Sequence, residues 1–478
     1  MLFLLLIPGV IVAFFAIILI RAALFKPPPL VSTEITEAPV DADAAAERLA
    51  KMIRCKTVSS TDEELVDKAE FDRFTALLPK LYPYVHKACE QQMVGPTGIL
   101  YHLKGKSSAA PVVFMSHYDV VPVKEDAWEK PAFEGIIENG ELWGRGTLDT
   151  KGTLCGILEA AETLIAEGFV PENDLYFAFS GDEEIFGESA PAIVEELNSR
   201  GISPAMVLDE GGAVVEGVFP GVSQECALIG TAEKGMLVAE FSVESKGGHA
   251  AAPPPHTLVG ILSQAVTRIE ANPFKNTLTP PVAAMFDTLG RHSTFVYRLI
   301  FANLWCFMPV LDSICRKRGG ELNAMMRTTC AFTMMEGSNA SNVLPPFAKM
   351  SANLRLIGGE TVDSAMEYLK TVADNPDIKL DVVYGMSPSA DSPADGPNWE
   401  SLKDAVMQTW PEALVSPYLM FACSDSRHYC KISERVYRFS AAKLNKDGFA
   451  MLHGHNERIS LDTLTKIIQF YTRLMMKC

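Results

Sequence analysis

Val112-Val113-Phe114-Met115-Ser116-His117-Tyr118-Asp119 is an apolar run that ends in an imidazole and a carboxylate. An unbroken apolar run this short, bounded by polar residues, reads as a strand buried on both faces, as in a parallel sheet. The arrangement recurs downstream. Leu175-Tyr176-Phe177-Ala178-Phe179 leads into Ser180-Gly181-Asp182-Glu183-Glu184, and Met206-Val207-Leu208 into Asp209-Glu210-Gly211-Gly212. Between the first two, Gly152 to Glu167 carries apolar residues at helical spacing. Strands alternating with helices predict an α/β fold with a mostly parallel sheet, in which ligand sites gather at the carboxyl ends of strands. Polar clusters far apart in sequence then converge on one cleft.

Outward from this centre the texture changes. Leu237 to Val243 and Lys349 to Leu356 alternate like half-exposed strands, and Thr257 to Ile269 and Thr361 to Ala373 read as helices. These predict an inserted α+β unit, a lid and dimerisation domain over 228–385. It splits a catalytic domain into 44–227 and 386–478. The aromatic stretch from Phe295 to Phe307 inside the insert is short and interrupted by Arg298, which favours a helical hairpin over a membrane segment. At the other end, Met1 to Ile20 carries no charged side chain. That is the length a helix needs to cross a bilayer, so 1–25 is expected as an uncleaved transmembrane anchor and 26–43 as a Pro-rich linker. Arg21 and Lys26, read by the positive-inside rule, place the body in the cytoplasm.

A net charge of −17 without a clustered basic face argues against a nucleic-acid partner. The 478 residues suffice for two domains. None of the ten cysteines forms a CxxC pair, so they read as buried, unpaired thiols and supply no thiolate metal site.

Asp119 lies two positions beyond His117, on the same side of an extended chain, where it can orient the imidazole. Gly144-Arg145-Gly146-Thr147-Leu148-Asp149-Thr150-Lys151-Gly152 puts a carboxylate on a Gly-rich loop that lacks the pattern of a phosphate cradle. Three adjacent acids, Asp182 to Glu184, repel one another and need cations to offset them. One of two adjacent carboxylates can bind metal while the other acts as general base. His453 and His455 add imidazoles near the C-terminus. Imidazole and carboxylate donors without thiolates suit a zinc pair with positions open to water and substrate.

From about Ala44 onward, the segments HYDVVP, GRGTLDTKG, SGDEE, LDEGG, GGHAAAPP, NVLPP and HGHNERIS resemble, in this order, the aminoacylase/carboxypeptidase S branch of the M20 zinc metallopeptidases. The resemblance is strongest to secreted or membrane-bound members that act on N-acyl amino acids and dipeptides, which favours an extracytoplasmic body. It implies two zinc ions, with cobalt or manganese as substitutes. Asp149 would bridge them, His117 and Asp209 completing one site, Glu184 and His453 the other. Glu183 would be the general base and Asp119 would orient His117. Thr150 departs from the Asp-Asp pair of this branch, but only the first Asp is a ligand there. His249 resembles a lid histidine that crosses a dimer interface to stabilise the oxyanion, which implies a homodimer. Asn342, Arg355 and Ser424 resemble substrate-holding positions, Arg355 as the clamp for a terminal carboxylate. The implied substrate is a small peptide or an N-acyl amino acid, fatty-acyl chains included. A binding module that had lost its catalytic groups would lack a bridging acid or base, and here every such position is filled.

Overall fold

In the computed structural model, which describes residues 2–29 and 34–478, the apolar run through Val112 lies at the middle of a sheet. Its first strands are β1 (Glu90–Val94), β2 (Gly98–Leu103), β3 (Ser107–His117), β4 (Asn173–Ser180), β5 (Met206–Val215) and β6 (Cys226–Glu233). The inserted strands follow: β7 (Gly235–Glu244), β8 (Gly248–His249), β9 (Thr329–Glu336), β10 (Val343–Leu344), β11 (Phe347–Leu356) and β12 (Lys379–Met386). Then β13 (Leu414–Met420) and β14 (Val436–Lys443) rejoin the first sheet, whose order is β1-β2-β4-β3-β5-β14-β6-β13. Strand β3 runs parallel to β4 and β5, β5 to β14, and β6 to β13. The β1–β2, β2–β4 and β6–β14 neighbours are antiparallel. The expected mostly parallel sheet is therefore corrected to a mixed one. Parallel neighbours need a crossover helix, whereas β1 and β2 are joined by a tight turn through Gly95 at φ +65°.

Helix α1 (Leu2–Leu24) precedes α2 (Ala42–Ile53), which is capped by the Asp41 carboxylate accepting from the Ala44 N–H at 3.1 Å. Helix α3 (Lys151–Ala166) is the β3–β4 crossover and is buried along most of its length. Its Gly156 lets the last helix lie close, because a Cβ there would stand 2.3 Å from Ile467 Cγ2.

In the insert, α4 (Leu258–Ala271) packs on a four-stranded antiparallel sheet, β9-β11-β7-β12, with a core of its own that includes Leu237, Phe241, Leu262 and Leu354. Helices α5 (Pro280–His292), α6 (Phe295–Phe301) and α7 (Leu304–Arg318) fall within the same stretch of sequence. Their apolar residues Val282, Phe286 and Leu311 nevertheless join the core of the first domain, α5 lying on β13. Helix α8 (Val362–Ala373) returns to the insert, and α9 (Gly396–Thr409) and α10 (Leu461–Met475) complete the first domain.

The N-terminus departs from expectation. Among the described residues no single helix is long and apolar enough to cross a membrane, so the transmembrane anchor is not supported; the apolar helix stretch found is Gly9–Leu24. Its C-terminal half is docked on the body. Arg21 Nε and Nη2 donate to Ala302 O at 3.1 and 2.9 Å, and Asn303 Nδ2 donates to Ile18 O at 3.1 Å. Part of the expected linker, 30–33, lies outside the described residues. Beyond it the chain is strapped to the domain: Thr36 N–H donates to Gln408 Oε1 at 2.8 Å, and Arg473 Nε to Thr36 O at 3.1 Å.

Candidate metal centre

His117 is the last residue of β3 and is buried. Its Nδ1 stands 3.1 Å from the Asp119 carbonyl and 3.3 Å from Asp119 Oδ1, which leaves Nε2 facing the cleft. There Nε2 meets Asp149 Oδ1 at 3.1 Å and Glu210 Oε1 at 3.5 Å. The other oxygen of Asp149, Oδ2, lies 3.0 Å from His453 Nε2, which also meets Glu184 Oε2 at 3.0 Å. Asp149 thus turns one oxygen to each imidazole. Asp119 holds the acidic turn as well as His117, because its carboxylate accepts the N–H groups of Glu183 and Glu184 at 3.2 and 3.1 Å and the Ser59 hydroxyl at 2.7 Å. Thr150, the position that departs from the family pattern, ties the loop to the end of β3: its hydroxyl donates to His117 O at 2.9 Å and accepts from His117 N at 3.1 Å.

The electrostatics record an excess of negative charge. Burial, with the charges of Glu210, Asp425 and Glu184, pushes the Glu183 carboxyl well above the usual range against the pull of His117. Glu210 is raised to about 7 by burial, again opposed by His117. Hydrogen bonds to Asp149 and Glu184 push the His453 imidazole up to about 10. His117 is raised by Glu210, Asp119 and Asp149 in spite of a burial that works the other way. In these positions protonated imidazoles and carboxyls do what divalent cations would do better. The donor set fits such ions: oxygen and imidazole nitrogen, no thiolate, two overlapping triads (His117, Asp149, Glu184 and His117, Glu183, Glu210), and a buried Glu184 Oε1 with no hydrogen-bond partner.

The structure brings together His117, Asp119, Asp149, Glu183, Glu184 and His453. Asp209 forms no ion pair with an imidazole among the described residues, although His117 is one of the charges that act on it. That carboxylate is buried and its Oδ2 accepts from Ser426 N at 3.0 Å, while the next residue, Glu210, faces His117. Ser424, expected at the substrate, turns its hydroxyl to Ser426 Oγ at 2.7 Å, and its N–H to Glu233 Oε2 at 2.9 Å. Glu233 in turn pairs with Arg427 and the buried Arg438, each at 3.4 Å. His249 and Asn342 sit on the insert, where β8 pairs with β10 and Ala250 N donates to Asn342 O at 3.0 Å; both are exposed, and His249 Nδ1 accepts from Ala251 N at 3.0 Å. Arg355 on β11 reaches the loop that follows β13, with Nη1 3.6 Å from Cys423 Sγ.

Two residues escaped the reading of the sequence. Glu210 stood beside Asp209 in the same motif. Glu457 stood four residues beyond His453 and is wholly buried. It accepts Leu148 N at 2.7 Å and Asp149 N at 3.1 Å through one oxygen, and Gly146 N at 3.0 Å and Arg145 Nη1 at 2.7 Å through the other. It holds the loop that carries the central carboxylate.

The chain has relatives over most of its length. It is 35% identical over 435 residues to the N-fatty-acyl-amino acid synthase/hydrolase PM20D1 of Xenopus tropicalis, covering 90% of this chain and 85% of that one. It is 32% identical over 438 residues to the probable carboxypeptidase S-like 2 of Dictyostelium discoideum, at 90% and 84% coverage. The fold is similar to the crystal structure of Sso-CP2, an M20 family metallo-carboxypeptidase from Sulfolobus solfataricus, with a TM-score of 0.67, 16% identity and coverage of 90% and 98%. The model of peptidase family M20/M25/M40 matches residues 113–477, from β3 to the end of the last helix, and to that family of metallopeptidase enzymes this chain belongs.

Proposed function

We propose that this chain is a dinuclear, zinc-dependent amide hydrolase that cleaves a peptide or N-acyl bond beside a free carboxylate. The observation that carries the proposal is Asp149, whose two oxygens address two imidazoles from opposite ends of the sequence. We assign His117, Asp149 and Glu210 to one ion, and Asp149, Glu184 and His453 to the other. Ions held there would acidify a water and polarise the scissile carbonyl. Glu183 takes the proton of the attacking water and delivers it to the leaving amine, from its place beside Glu184 on the acidic turn that the Asp119 carboxylate holds. Arg355 grips the substrate carboxylate. His249, supplied by the lid of a second copy, stabilises the oxyanion.

A fatty-acyl amino acid is the second substrate reading. It is favoured by Phe186, two residues beyond Glu184, which is 50% exposed and lies against Tyr384 of β12 at 5.6 Å between ring centroids. Metal analysis of the purified protein, with hydrolysis measured on N-fatty-acyl amino acids and on Gly-Xaa dipeptides, tests both parts. Two zinc ions per chain and turnover of either class are expected. Protein with less than one ion per chain and no amidase activity after zinc loading would overturn the proposal.

A further inference from the structure

We propose that α1 and the α6–α7 hairpin form one platform that lies on an anionic lipid surface, touching the acyl layer from the side rather than crossing it. The hairpin is apolar but poorly shaped for spanning, since α6 and α7 meet at 104°. Its apolar side chains are nonetheless turned outward: Val296 is 69% exposed, Trp305 59% and Val310 56%. The docked part of α1 carries the same character, with Val12 and Phe15 largely exposed.

The two exposed faces are one. Arg21 and Asn303 stitch the helices through the backbone carbonyls of Ala302 and Ile18, and Phe14 packs edge-on against Trp305 at 5.8 Å. A soluble surface rarely leaves so many large apolar side chains together, and a Trp at such a margin suits the boundary between headgroups and acyl chains.

Charge selects the occupant. In a chain of net charge −17, the end of α7 is Arg316-Lys317-Arg318, all exposed. Arg316 pairs with Asp312 at 3.4 Å, whereas Lys317 and Arg318 have no ion-pair partner among the described residues. Lys26 lies at the foot of α1, where its carbonyl accepts from Arg291 Nη1 at 3.3 Å, while Arg291 itself is paired with Asp287 at 2.8 Å. An apolar face bordered by Lys26, Lys317 and Arg318, which have no ion-pair partner among the described residues, fits a bilayer bearing anionic headgroups, whereas the same face of a second copy would set like charges against one another.

The test is flotation of the full-length protein with vesicles of phosphatidylcholine alone and of phosphatidylcholine with phosphatidylserine. Wild type is expected to prefer the anionic vesicles. Lys317→Glu with Arg318→Glu, two exposed changes that leave the core untouched, is expected to cut that binding by at least about fivefold per residue. Quenching of tryptophan fluorescence by brominated lipid is expected in wild type and reduced in Trp305→Phe. Binding unchanged by the charge reversals, together with quenching independent of Trp305, would overturn the platform and leave α1 alone as the contact. Loss of self-association in Trp305→Asp, measured by sedimentation, with vesicle binding intact, would overturn it in favour of a protein interface.

Discussion

At the scale of single residues, the choice between Asp209 and Glu210 decides which carboxylate completes the proposed first site. Strand β5 is irregular just here, Arg438 pairing with Asp209 and Phe439 with Gly212, so that Glu210 falls in the bulge and meets His117 while Asp209 accepts from Ser426. Glu210→Gln is expected to lose one of two ions and at least about 10²-fold in kcat, while Asp209→Asn keeps both ions; metal content and turnover measured together separate them. Glu183→Gln is expected to retain both ions yet lose at least about 10²-fold in kcat, a split that a purely structural glutamate would not give. The motif Leu208-Asp209-Glu210-Gly211-Gly212 announced an acid at this point of the fold. Which acid faced the cleft depended on the register of β5, and a single sequence does not reveal register.

At the scale of elements, the loop bearing Asp149 is held by a strand from the far end of the chain. Arg458 to Ser460 pairs with Glu141 to Trp143, and Glu457 accepts the hydrogen bonds of the loop between them. Removing one partner of a buried, fully bonded ion pair costs about 3–5 kcal/mol. Glu457→Ala is therefore expected to lower the thermal midpoint of the metal-free protein and to weaken metal affinity by about 10–100-fold, read by calorimetry and by metal titration. Strand-then-acid patterns made the sheet and most of the cluster legible, because burial and site position are both written locally. The antiparallel members of the sheet were not legible. Their direction is set by a turn at Gly95 and by the long return of β13 and β14, and apolar runs look alike in either sense. The docking of α1 on a hairpin nearly three hundred positions away left no local trace either.

At the scale of the whole molecule, raised proton affinities fix the sign of the pH response. Glu210 rises from 4.5 to about 7 and His453 from 6.5 to about 10. Both then bind more protons folded than unfolded, so their contribution to stability falls as pH climbs through those windows. The metal-free protein is expected to melt at progressively lower temperature between roughly pH 5 and 9, and metal loading to flatten that slope while releasing protons into a weakly buffered solution. A second test addresses the lid. If His249 serves the site of a neighbouring copy, mixing inactive Glu183→Gln and His249→Ala proteins restores about a quarter of wild-type activity, since half of the dimers are mixed and each has one intact site. No recovery after subunit exchange would confine the histidine to its own chain.

The position of His453 and Glu457 near the end of the fold also governs when chemistry can begin. While the ribosome is still making the insert, the nascent polypeptide already carries His117, Asp149 and Glu184, but neither the second imidazole nor the carboxylate that braces the central loop has been synthesised. On the proposed assignment, hydrolytic competence waits until the segment carrying both has been made, and a chain terminated before it is expected to be silent.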